Sequence, residues 1–163
     1  MKKTKSLTLL IVYFIWAAGQ DLDGIVRYAV LTDYSIFLAN GVPWLFFMLA
    51  FVVFSLNVLT VYNLIYPRPL GLVCGLAAVV ANAIQLSITM VLALRDISAV
   101  REAYVISREA RGLPVRDNAL NALFSHQAML GTMVVMLLLF LVIAWGLLRN
   151  RAYFLGDRGH LSA

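Results

Sequence analysis

From Leu70 to Leu94 the sequence carries no formal charge. At 1.5 Å per residue, a helix of roughly 25 residues spans the ~30 Å hydrocarbon core of a bilayer. Such a stretch leaves few folds open, because in lipid every backbone polar group has to be satisfied by the protein itself. Gly71, Gly75, Ala78, Asn82, Gln85 and Thr89 recur along it at steps of three and four, so they share one helical face. Leucine, valine, isoleucine and methionine fill the other faces. Lipid tails do not distinguish one apolar face from another, so the stripe of small and amide residues is where a second helix is expected to press.

Further apolar runs lie at Leu7 to Ala18, Pro43 to Ile65 and Leu120 to Leu148. Hydrophobic residues make up 63% of the 163-residue chain and charged residues only 13%. The latter is well below the ~25% of soluble domains. The pattern predicts an all-α, polytopic integral membrane protein. Its single domain is a bundle of four transmembrane helices, at about 6–22, 43–65, 70–94 and 120–148, with a short amphipathic helix in an outer loop at 95–119.

The first run follows Lys2, Lys3 and Lys5, the layout of a signal peptide, with Ala17 and Gly19 as small residues before a cut. We read it instead as a retained span, lengthened by a snorkelling Lys5 and by carrying Gln20 to Asp23 into the interface. Gln20 to Gly41 mixes charge with apolar residues and reads as an interfacial segment. There Asp23 and Arg27 are four apart, an ion pair if the segment is helical. The sharper reading is a set of charges dipping into the bundle as an ion path.

Asn40-Gly41 signals a turn, and Pro43 suits the first turn of a helix. Trp44, Tyr62 and Tyr66 fit aromatic belts at the two membrane surfaces. Pro67-Arg68-Pro69 breaks the chain so sharply that the second and third spans form a tight hairpin. Asn57, Thr60 and Asn63 then face the stripe. Asn57, Asn63, Asn82, Gln85 and Thr89 form a polar cluster, read as cross-helix glue, with the lining of a path as the alternative. Beyond Leu94, Ile97, Val100, Tyr104 and Ser107 share one face of a weakly amphipathic helix that Gly112 and Pro114 end. Asp117 is a candidate N-cap for the last span.

The constellations for chemistry are sparse. His126, Met129, Met133 and Met136 share a face, a soft donor set of the kind that holds Cu(I) or an axial haem position. With two histidines in the chain, the set reads as packing, and neither metal nor cofactor is expected. Cys74 is the one cysteine, a small packing residue, and no intrachain disulfide can form. No nucleotide loop, HExxH, GxSxG or EF-hand pattern occurs, so the chain reads as non-enzymatic. Asp23, Arg27, Arg101, Arg108 and His126 are the residues near the outer interface able to meet a ligand or a partner.

The net charge of +5 sits beside the apolar runs, which points to anionic headgroups and not to nucleic acid. Basic residues are densest at Lys2 to Lys5, Arg68 and Arg149 to Arg151. That density places both termini in the cytoplasm of a multi-pass protein of the cell (inner) membrane. The leading functional expectation is a small accessory or interaction subunit of a larger membrane assembly, with the bilayer and other subunits, or further copies of itself, as partners. The alternatives are a homo-oligomeric channel or transporter, and a membrane-embedded enzyme or binder of lipid or quinone.

Overall fold

A computed structural model describes residues 5–66 and 68–155, the side chains of Asp117, Ala119 and Leu155 excepted. Regular structure among the described residues is entirely helical. The elements are α1 (Lys5–Val26), a 3-10 turn (Tyr28–Val30), α2 (Thr32–Ala39), α3 (Pro43–Ile65), α4 (Pro69–Arg95), α5 (Ile97–Ala110), α6 (Asp117–Leu123), α7 (His126–Arg149) and α8 (Arg151–Leu155). The helices α1, α3, α4 and α7 are long and apolar enough to cross a membrane, as expected of a multi-pass membrane protein.

The local signals for these boundaries are physical. Pro43 and Pro69 sit in the first turns of α3 and α4, where a missing N–H costs nothing. α2 ends as Gly41 turns to φ +73° and α5 as Gly112 turns to φ +66°, a conformation that glycine adopts without strain. In both, the next N–H reaches back to the helix, Val42 to Phe37 O and Leu113 to Arg108 O, each at 2.9 Å, closing a Schellman motif. Ser125 caps α7 by accepting from Ala128 N, and Asp96 caps α5 by accepting from Ala99 N.

Helix α1 packs on α3, α3 on α4, α4 on α7, and α7 returns to α1. The main core gathers Leu7, Leu10 and Phe14 of α1 with Leu64, Val79 and Leu147. It occupies the end where α1 begins and α7 finishes. There Asn150 donates to Ser6 Oγ at 3.1 Å, and the Tyr153 hydroxyl donates to Leu64 O at 2.9 Å. At the opposite end a smaller core of Ile36, Ala93, Val100 and Met129 joins α2, α4, α5 and α7. Edge-on aromatic contacts dock α2 and the 3-10 turn on α3, with Tyr28–Phe47 at 5.1 Å and Tyr34–Phe46 at 5.5 Å between ring centres.

Several boundaries differ from the expected ones. α1 does not stop near residue 22 but continues to Val26, taking Asp23 into the helix. Asp96 separates α5 from α4. α6 opens at Asp117, which puts Arg116 at the flanking position. The long apolar helix starts afresh at His126 under Ser125, so Asp117, expected to cap it, is instead the first residue of a separate short helix. The segment after Arg149 also packs on α4 and α7. It forms α8, which lays Phe154, 1% exposed, against the core.

Candidate functional site

The small-residue stripe is used inside the chain. Gly71 lies between Phe154 and Asn63. A Cβ added to it would come within 2.8 Å of the Phe154 ring and 2.9 Å of Asn63 Cβ. A Cβ at Gly75 would meet Leu147 at 3.0 Å and Thr60 Cγ2 at 3.4 Å, and Ala78 is fully buried. The stripe thus receives α3 on one side and α7 with α8 on the other.

The polar cluster divides. Asn57, fully buried, donates Nδ2 to Asp21 Oδ2 at 2.7 Å, and its Oδ1 faces Asn82 Nδ2 at 3.4 Å. Asn82 also donates to Ala78 O at 2.8 Å. Asn63 turns away, donating to Leu59 O at 2.7 Å within its own helix, and Thr60 does the same with Leu56 O. Gln85 and Thr89 do not join the amides. Gln85 lines one cavity and Thr89 another.

The cavity at Gln85 occupies about 210 Å³ between the end of α1, the start of α3 and the C-terminal half of α4. Its charged walls are Asp21, Asp23 and Asp33. Arg27 Nε sits 3.0 Å from Asp23 Oδ1, the i, i+4 pair that the spacing offered. Both partners of that pair are at least half exposed, so it contributes little stability. Asp21 and Asp33 have no cationic partner among the described residues. Asp33 is open to the cavity, yet the protein around it desolvates the carboxyl and pushes its pKa up. The Asp21–Asn57–Asn82 chain leads from this cavity toward the middle of α3 and α4. Below it, the core of Phe14, Leu10, Val79 and Leu147 closes the way to the other end.

Asp21 counts in the sequence only among the mixed charges of Gln20 to Gly41, although the sequence holds a signal for its inward place. Leu7, Leu10, Phe14 and Ala17 step by three, four and three along the buried face of α1, and Asp21 is the next step of four on that face.

The other residues expected to meet a ligand or partner scatter. Arg101 stays on α5 away from these walls. His126 is exposed at the start of α7, and of its methionine neighbours only Met129 is buried. Arg108 lines a third cavity with Tyr104 and Arg116. Among the described residues no group of three His, Cys, Asp or Glu side chains is placed to hold a metal ion. The acidic cavity offers carboxylates and amides in a partly desolvated setting, which suits an ammonium or guanidinium group. The chain matches no family model, no curated protein and no solved structure, so function is read from the site itself.

Proposed function

We propose that this chain is an integral membrane protein of the cell (inner) membrane, a bundle of four transmembrane helices with both termini in the cytoplasm. We infer that it serves as a small non-enzymatic subunit of a larger membrane assembly. Its outward acidic cavity receives a basic side chain of a partner subunit. The observation that carries this reading is Asp21, held by Asn57 at 2.7 Å on a spanning helix and facing a cavity with Asp33. A carboxylate at such depth is costly and is kept where it has a partner or a task. The apolar layer of Phe14, Leu10 and Leu147 beneath it favours a one-ended receptor over a path through one copy. The distribution of charge supports the orientation, with Lys5, Arg68, Arg149 and Arg151 all at the closed end.

A photo-crosslinking residue placed at Gln85 tests this directly. In cell membranes it should capture one partner chain, at a peptide that contains Lys or Arg. Capture of lipid alone, or of a second copy of this chain, would overturn the reading, and the second result would favour a homo-oligomeric channel.

A further inference from the structure

Beside the acidic cavity lies a larger one of about 370 Å³, between α2, α4, α5 and α7. That volume is within the range of about 300–1,000 Å³ typical of ligand sites. Its walls are chiefly apolar, from Met90, Ala93, Val100 and Met129, with Thr89 and Thr132 among them. Tyr104 and Leu123 line it and also line a neighbouring cavity of about 230 Å³, whose charged residues are Arg108 and Arg116. An apolar chamber therefore adjoins a basic one across two shared side chains.

The basic chamber is partly preorganised. Arg108 donates Nε to Pro114 O at 3.0 Å and Nη1 to the Tyr104 hydroxyl at 3.1 Å. This fixes the plane of the guanidinium and leaves Nη2 free to donate. Arg116 is exposed, and among the described residues neither arginine is paired with a carboxylate, since the one ion pair there is Asp23–Arg27. Two guanidinium groups in this state match a phosphate, which takes up their forked donors. Asp33 is the described carboxylate on the wall of the apolar chamber. Its carboxyl stands on α2 and takes no part in the walls of the basic chamber.

We propose that these joined chambers bind an anionic phospholipid of the bilayer, its phosphate on Arg108 and Arg116 and the adjoining part of an acyl chain between α4, α5 and α7. The shared wall of Tyr104 and Leu123 lies where the headgroup joins the chain. The site shares Asp33 with the acidic cavity but no arginine, and its test does not depend on a partner subunit.

The purified full chain, stripped of lipid in mild detergent, is loaded with dioleoylphosphatidylglycerol or dioleoylphosphatidylcholine and weighed by native mass spectrometry. Phosphatidylglycerol, the glycerol lipid, should be retained at about tenfold lower concentration, because both lipids carry the phosphate but the choline ammonium offsets its charge and faces the two arginines with a like charge. Replacing Arg108→Gln and Arg116→Gln together should erase that preference while leaving the melting temperature near wild type. Thr132→Phe, which fills the apolar chamber, should weaken retention of both lipids. Equal retention of the two lipids by the wild type would overturn the proposal, as would a preference that survives the double arginine change. Loss of the glycerol lipid to excess inorganic phosphate, with Thr132→Phe without effect, would also overturn it, because the acyl chain would then play no part.

Discussion

Asn57 on α3 donates to the carboxylate of Asp21 on α1 across 2.7 Å, and no other side-chain hydrogen bond among the described residues joins these two helices at that depth. Asn57 is fully buried and Asp21 half-buried. Asn57→Leu would leave the carboxylate without its donor, at a cost of about 1.5–3 kcal/mol for a hydrogen bond to a charged group. The double change Asn57→Leu with Asp21→Leu should recover most of that loss. Thermal unfolding in detergent decides. A double variant as unstable as Asn57→Leu would show that the pair is not coupled.

Asn82→Leu should be milder than Asn57→Leu. Its approach to Asn57 is long, 3.4 Å, and its better bond is to Ala78 O in its own helix, at 2.8 Å. A loss equal to that of Asn57→Leu would place the weight of the polar chain on the second link instead of the first.

The stripe gives a graded series. At Gly71 an alanine methyl would press on an aromatic ring and on Asn63 Cβ, which moves only with its backbone. At Gly75 the nearest atoms are the movable ends of Leu147. Gly71→Ala should therefore cost more than Gly75→Ala, within the 1–3 kcal/mol typical of overpacking. Val73→Leu, at an outward position 63% exposed, should leave the melting temperature almost unchanged. Equal effects at all three positions would mean that the stripe is not the contact surface.

Asp33 yields a pH prediction whose sign follows from its raised pKa. A carboxyl whose folded-state pKa lies above its unfolded value of about 3.9 weakens folding once it ionises. The folded state is free of this penalty below about pH 4 and bears it increasingly as pH rises. Asp33→Asn should therefore raise the melting temperature at pH 7 and leave it unchanged near pH 3.5. A stabilisation that is the same at both values would remove ionisation as its cause.

The four apolar runs were plain in the sequence because bilayer thickness sets a length that few soluble helices match. The turns at Gly41 and Gly112, the prolines opening α3 and α4, and the Asp23–Arg27 spacing were legible too, since each rests on contacts within a few residues. The meeting of Asn57 and Asn82 followed from the hairpin forced by the break around Arg68. What stayed hidden depends on contacts distant in sequence. Asp21 looked interfacial because the apolar run before it is short, and only the packing of α1 on α3 shows it facing inward. Phe154 reads as part of a tail until Gly71, on α4, leaves room for its ring. Arg108 and Arg116 lie on either side of the Gly112 turn, and it is the fold of that turn that brings them to one cavity.

Orientation is open to cysteine labelling in a Cys74→Ala background. Glu109 is exposed on α5, so Glu109→Cys should react with a membrane-impermeant reagent added outside intact cells. Labelling only after the membrane is opened would invert the topology proposed here.

The most direct measurement is the native mass of the protein purified in gentle detergent, wild type beside Asp21→Asn. The substitution keeps an oxygen for Asn57 and removes the charge. The account predicts a wild-type complex of this chain with a different membrane protein, and a folded Asp21→Asn variant that comes out alone. A wild type found only as a single chain or as a ring of identical copies would contradict it, and so would a partner held equally well without the Asp21 charge.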